Sequence, residues 1–204
     1  GNILSAASCT TNAIVPILDT IHQAFGIKHG HVESCHSYTN DQNLIDNYHR
    51  KARRGRAAAL NMVITSTGAA KAVSKAIPEL EGKLTGNAVR VPTPNVSLAI
   101  LNLELEKDAS VDELNEHLLK RSLEGDLVNQ IDYTNSDEVV SSDFVGNRYA
   151  AIVDSKSTIS LGSSCVLYVW YDNEFGYSRQ VVRILEELAG LGLQTFPWAL
   201  NGEA

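Results

Sequence analysis

The run VSLAILNLELE at residues 96–106 decides how this chain folds. Leu101, Leu103 and Leu105 alternate with Asn102, Glu104 and Glu106, a period of two that places apolar side chains on one side of a strand and polar ones on the other. A strand of that kind belongs to a sheet with one buried and one solvated face. The run CVLYVWY at residues 165–171 is nearly continuous in apolar residues and so belongs centrally in such a sheet.

Working outward, residues 82–92 read as a strand joined to 96–106 by Pro92-Thr93-Pro94-Asn95. Further strands are expected at 30–39, 62–66, 127–133, 139–144 and 149–153. Ile14, Ile17, Leu18, Ile21 and Phe25 recur at helical spacing, and Gly26 closes that helix. A second helix starts at Thr67 or Gly68 and runs to Ile77, where Pro78 stops it. Ser110 and Glu113 form a capping box for a third, with Val111, Leu114, Leu118 and Leu119 on one face and Gly125 beyond its end. Asp172 or Asn173 caps a fourth, which carries Tyr177, Val181, Ile184, Leu185 and Leu188 and ends at Gly190 and Gly192. Between the first strand and the second lies a long polar and basic stretch, 40–61, without periodicity. Strands and helices do not alternate regularly and hairpin-like pairs dominate the second half, which favours an α+β layer over a doubly wound fold.

The 204 residues, 44% hydrophobic and 20% charged, suit one well-buried soluble core, and no linker divides them. No apolar run approaches the roughly 18–20 residues of a membrane span, and no signal segment is visible, so a cytoplasmic protein is expected. A net charge of −7 argues against nucleic acid or anionic membrane as partner. Three cysteines, Cys9, Cys35 and Cys165, are too few and odd in number for a disulfide framework and read as free thiols.

The chemistry concentrates at SCTTN, residues 8–12, a thiol flanked by hydroxyls and an amide after the apolar entry Ile3, Leu4, Ala6 and Ala7. A helix N-terminus at Cys9 would stabilise its thiolate; Pro16 demands either a helix that starts at Cys9 and bends, or one that starts nearer Asn12. His36, in HSYTND, is the natural base for that thiol or donor to an oxyanion. His29, His31 and Cys35 share a strand face, but a second ligand pair is lacking and no metal is expected. Arg50, Lys51, Arg53, Arg54 and Arg56 bring five of the 17 basic residues into one short run, which suggests an anion site. Thr67 and Gly68 at a helix start, and Arg90 at a strand end, offer further donors. There is no G-x-G-x-x-G element to grip a dinucleotide.

The blocks SCTTN, HSYTNDQ, RRGRAAALN, STGAAKAV, VRVPTPNVS and WYDNEFGYS stand in one order and register. Together they closely resemble the C-terminal catalytic domain of the phosphorylating glyceraldehyde-3-phosphate dehydrogenases, from about Ile3 to Leu191. The resemblance implies a mixed, largely antiparallel sheet covered on one face by helices, with residues 1–204 a catalytic domain that lacks the family's N-terminal Rossmann domain. It implies Cys9 as the nucleophile and His36 as its base, acting on glyceraldehyde 3-phosphate and inorganic phosphate with NAD or NADP. Thr39, Arg54 and Arg90 match phosphate-holding residues, with Ser8, Thr10, Thr67 and Gly68 completing a second phosphate site. Asn173 matches the amide that orients the nicotinamide carboxamide, and Tyr177 the ring beside it. Residues 40–61 match a loop that borders a neighbouring subunit's cofactor in a homotetramer.

The chain departs from the family pattern at Ala13, where many members have a second cysteine, at Cys35, which adds an oxidisable thiol, and at Asn47-Tyr48, where NAD-specific members commonly have Leu-Pro. The rival readings are an erythrose-4-phosphate dehydrogenase, a non-catalytic interaction module and a cysteine hydrolase. By itself the stretch is expected to show little dehydrogenase activity and weak NAD binding, with the final helix in want of a partner.

Overall fold

A computed structural model describes residues 4–191. Ile3 and Gly192, both named above, and the tail beyond lie outside that range. One eight-stranded sheet organises the chain, in the order β2-β3-β1-β4-β8-β6-β5 with β7 hanging on β8. The strands are β1 (Ile27–Ser37), β2 (Val63–Ser66), β3 (Leu84–Val91), β4 (Ser97–Leu105), β5 (Ile131–Thr134), β6 (Ala151–Asp154), β7 (Ile159–Leu161) and β8 (Ser164–Tyr171). The helices are α1 (Cys9–Phe25), α2 (Ala69–Val73), α3 (Val111–Leu123) and α4 (Phe175–Leu188). Among the described residues only β1·β3 and β5·β6 are parallel, so the sheet is mixed and mostly antiparallel, an α+β arrangement.

The period of two in β4 does what it promised. Ser97, Ala99, Leu101, Leu103 and Leu105 are buried, and so are Cys165, Leu167, Val169 and Tyr171 of β8, the strand antiparallel to β4. These side chains share one core with Ile14, Ile17, Leu18 and Ile21 of α1, Ala69 and Val73 of α2, and Leu114 and Leu118 of α3. The opposite face of β4 carries exposed Asn102. On β1 the same parity buries Val32, Ser34 and His36, which brings the imidazole to the side where α1 lies.

Three expectations need correction, and two features of the sheet go beyond them. The strands joined by Pro92-Thr93-Pro94-Asn95 are not neighbours: β1 lies between them, parallel to β3 and antiparallel to β4. A tight hairpin prefers a two-residue primed turn. This proline-bearing link instead steps over β1, about 10 Å across two strand spacings. The expected strand at 139–144 is a 3₁₀ turn at Ser141–Phe144, because the Asp143 carboxylate accepts from Val140 N–H at 2.7 Å and Phe144 stacks on Trp170. The second helix stops at Val73, since Ile77, before Pro78, must adopt an extended conformation (φ −126°, ψ 83°). The strand expected from residue 127 begins only at Ile131, whose N–H turns back to Leu127 O. The short strand β7 carries too weak a pattern to be read in advance, and it forms the hairpin with β8.

Pro16 lies inside α1, which does start at Cys9. Residues 40–61 fold back on themselves: Asp46 accepts from Ala57 N–H at 2.8 Å, and Asn47 N–H donates to Gly55 O. A β-carbon on Gly55 would stand 2.3 Å from Asn47 O, so this turn of the loop requires glycine.

Leu101 is fully buried between the helices and the middle of the sheet. Leu101→Ala is expected to lower the unfolding free energy by about 2–5 kcal/mol, measured as a shift of the urea midpoint at unchanged slope.

Candidate functional site

The site begins with the cap of α1. Ser8 stands in extended conformation and its Oγ accepts from Thr11 N–H at 3.1 Å, so the helix opens with Cys9 as its first residue. Ala7, just before, adopts a left-handed φ of 55°, and the Asn12 amide donates to Ala6 O and Ser8 O, fastening the approach. Thr10 faces inward: its Oγ1 is 2.8 Å from Tyr171 Oη, which is also 2.8 Å from Ser34 Oγ. Burial holds the Tyr171 phenol protonated, well above its usual range. That chain of hydroxyls ties the start of α1 to the end of β8 and to Ser34 within β1.

The consequence is that Cys9 Sγ lies 3.5 Å from His36 Nε2. Burial pushes the Cys9 thiol up, while the Thr10 N–H and hydroxyl and the Arg90 guanidinium pull it partway back. Burial and Arg90 drive His36 down to about 4, so at neutral pH the imidazole is uncharged. Its Nδ1 is 2.7 Å from Ser37 O and 2.7 Å from Arg90 Nη1, which also donates to Ser37 O at 2.9 Å. Whichever partner holds Nδ1 decides whether Nε2 faces the sulfur with a proton or a lone pair.

Cys9 and His36 open into a cavity of about 770 Å³ lined also by Ser8, Thr10, Arg54, Thr67, Gly68 and Arg90. Two further cations, Lys51 and Lys75, line it, and among the described residues no carboxylate does. Arg54 is fixed by Thr65 Oγ1, 2.9 Å from Nε, and by a close ion pair with Asp41. Partial burial works against the Asp41 charge, but Arg54 and His49 hold its carboxyl below the usual range. Arg90 Nε is buried without a partner. Thr67 Oγ1 accepts from Ala69 N–H at 3.2 Å at the head of α2.

The structure thus gathers Cys9, His36, Ser8, Thr10, Arg54, Thr67, Gly68 and Arg90 in one place. It leaves Thr39, Asn173 and Tyr177 off the cavity wall. Thr39 is half-buried where the loop begins, and its carbonyl accepts from Gln42 N–H. Asn173 is buried one residue past β8, and Tyr177 is half-buried on α4. Lys75 escaped the sequence reading because nothing in its spacing sets it apart from Lys71. Cys35 is half-buried on β1, and burial with the Glu33 charge raises its thiol, which suppresses the thiolate that oxidation needs. His31, in the would-be metal set, is engaged with Thr85 Oγ1 and Asn87 Oδ1, each at 2.8 Å.

Fold and site together define an α+β domain that sets a thiol against a neutral imidazole at the mouth of a cationic cavity. Residues 8–173 match the family model described as glyceraldehyde 3-phosphate dehydrogenase, C-terminal domain, and the chain belongs to that family. It is 63% identical over 195 residues to a glyceraldehyde-3-phosphate dehydrogenase-like protein of Pseudomonas aeruginosa, covering 96% of this chain and 42% of that protein. It is 47% identical over 193 residues to glyceraldehyde-3-phosphate dehydrogenase of Priestia megaterium and to glyceraldehyde-3-phosphate dehydrogenase 1 of Bacillus subtilis. In both cases 94% of this chain and 57% of the relative are covered, so the chain spans about half the length of the relatives it matches.

A histidine that is neutral when folded (about 4) and ordinary when unfolded (6.5) leaves the unfolded chain holding the extra proton between those values. Its contribution is intact above about pH 6.5 and is lost as pH falls through about 4. Urea midpoints from pH 8 to 4 are expected to decline over that window, and His36→Gln is expected to flatten the decline.

Proposed function

We propose that this chain is the catalytic domain of a phosphorylating glyceraldehyde-3-phosphate dehydrogenase. It would convert glyceraldehyde 3-phosphate and inorganic phosphate to 1,3-bisphosphoglycerate, with NAD or NADP as hydride acceptor. The observation that carries the reading is the 3.5 Å approach of Cys9 Sγ to His36 Nε2 in a cavity whose charged lining is entirely cationic.

Cys9 Sγ attacks the aldehyde carbon, and the thiol proton passes to His36 Nε2. For that step Nε2 must be bare. An anion that draws Arg90 off Nδ1 leaves Nδ1–H to donate to Ser37 O and frees Nε2 as acceptor. Nε2 returns that proton to the developing alkoxide to complete the thiohemiacetal. Loss of hydride, and of the hydroxyl proton to His36, would give a thioester, and phosphate oxygen would then displace the sulfur, which recovers the proton from His36 to leave the acyl phosphate and the free thiol. Arg54 and Arg90, with Ser8, Thr10, Thr67 and Gly68, hold the two phosphate groups; Thr39 joins them on the resemblance alone. Two anions in one site demand such a surplus of positive charge.

The nicotinamide, when bound, takes the hydride. Asn173 fits it: Oδ1 is taken by two hydroxyls while Nδ2 has only a 3.4 Å contact to Glu174, which leaves a buried donor for the carboxamide oxygen. Tyr177 would stand beside the ring on the resemblance alone. The dinucleotide is otherwise held by the part of the protein that the relatives carry beyond the matched region, and we assign residues 1–204 to the catalytic domain. A cytoplasmic homotetramer without a metal completes the proposal, with residues 40–61 at a subunit boundary.

The test is turnover of the full-length protein on glyceraldehyde 3-phosphate and erythrose 4-phosphate, each with NAD and with NADP. The glyceraldehyde substrate is expected to be preferred. Cys9→Ser should abolish phosphate-dependent oxidation, His36→Asn should lower kcat by about 10²–10⁴-fold, and Arg54→Ala should chiefly raise KM for the phosphorylated aldehyde. Undiminished oxidation by Cys9→Ser would overturn the proposal.

A further inference from the structure

Asn173 is useful as a donor only if its amide cannot turn over, and the structure shows what prevents that. Its Oδ1 accepts from Ser37 Oγ at 2.7 Å and from Ser97 Oγ at 2.9 Å. Ser37 is fully buried and Ser97 nearly so. Ser97 Oγ in turn accepts from Ser37 N–H at 3.1 Å, so the Ser97 proton is directed to the amide oxygen. A flipped amide would set its oxygen 3.4 Å from Glu174 Oε1, oxygen against carboxylate oxygen. The bonding pattern thus fixes which end of the amide is which.

The two serines are themselves held firmly. Val96, a β-branched residue at φ 66°, occupies a left-handed conformation immediately before Ser97 and is almost completely buried. Such a conformation costs of order 1–3 kcal/mol and persists only where its surroundings enforce it. Here Asn95 enforces it: its Oδ1 takes Val96 N–H at 2.8 Å, and its Nδ2 reaches Asp172 Oδ2 at 3.1 Å. Asp172 also accepts from the N–H groups of Glu174 and Phe175 at the entry to α4. The turn before β4 and the end of β8 are therefore clamped together on both sides of Asn173. Ser37 has a second attachment, because its carbonyl is the partner of His36 Nδ1 and Arg90 Nη1.

We propose that Ser37 and Ser97 are positioning residues that lock the Asn173 amide with its NH₂ toward the cofactor, and that Ser37 couples this lock to the catalytic base. The proposal rests on the reading of Asn173 given above. The hydroxyl of Ser37 sets the donor for the nicotinamide carboxamide, and its carbonyl sets the histidine that serves the thiol. One residue of β1 thereby keeps hydride acceptor and base in register. Without the two hydroxyls the amide is free to present its oxygen, which accepts from the carboxamide NH₂ instead of donating to its carbonyl.

The test is equilibrium binding to the full-length protein of NAD and of its 3-acetylpyridine analogue, which keeps the carbonyl and lacks the NH₂. The unmodified protein, which donates to the carbonyl, is expected to bind the two within about twofold of each other. In Ser97→Ala, Ser37→Ala and the double variant the freed amide should favour NAD, with the ratio of dissociation constants rising at least fivefold. Thermal melting of each variant checks that it folds, and either single variant suffices if the double does not. An unchanged ratio in folded variants would overturn the lock. Asn173→Ala separates the two readings: if it leaves NAD affinity unchanged, the assignment of Asn173 fails and the lock with it, whereas lost affinity with an unchanged serine ratio sinks the lock alone. For the coupling, Ser37→Ala should shift the pH profile of Cys9 alkylation by iodoacetamide and Ser97→Ala should not; identical profiles would refute it.

Discussion

The bridge from Thr10 through Tyr171 to Ser34 is the interaction on which the rest of the site depends. Three buried hydroxyls, each 2.8 Å from the next, join the first turn of α1, the end of β8 and the middle of β1. Buried hydroxyls are expensive to leave unpaired, so the three elements have one relative placement in which all are satisfied. That placement sets Cys9 at the start of its helix opposite His36, two residues beyond Ser34 on the same face of β1. The hydrophobic core supplies most of the driving force, but apolar contacts alone would tolerate a slide that these hydrogen bonds do not.

The electrostatics of the pair differ from a simple activated thiol. Burial raises Cys9 and depresses His36, so the resting pair is thiol and neutral imidazole rather than thiolate and imidazolium. Arg90 touches both partners: it pulls the thiol back down, contributes to the fall of His36, and contacts the imidazole nitrogen remote from the sulfur. A phosphate group on Arg90 would therefore act on the thiol, on the base and on the tautomer together.

The sheet was legible for a simple reason. Where one face of a strand is buried and the other wet, alternation records it, as Leu101, Leu103 and Leu105 do in β4. Capping chemistry is equally local, and the Ser110–Glu113 box stands as the residues announce it, whereas the N-cap of α4 is Glu174, not Asp172 or Asn173, with Asp172 accepting from the N–H groups of Glu174 and Phe175 just ahead of the helix. What could not be read has two causes. The neighbour relation of β3, β1 and β4 is non-local, and a proline-rich link between two strands says nothing about a third strand inserted between them. The strand expected at 139–144 failed because Asp143 offered Val140 N–H a local partner that no periodicity reveals.

By itself the sequence determined that this chain forms an α+β layer, and it pointed to Cys9 with His36 as the pair to examine and to an anion as the ligand to look for. Those conclusions rest on local periodicity, residue chemistry and six motif blocks in order. Only the tertiary structure decided how the pair is arranged: the 3.5 Å approach, the contested Nδ1 of His36, and the cations Lys51 and Lys75 on the cavity wall. It also decided that Ser37 and Ser97 close on the oxygen of Asn173. The reason is sequence distance. Asn173 lies 136 residues from Ser37 and 76 from Ser97, and a hydrogen bond across such a span is fixed by sheet order and register, which no local pattern encodes.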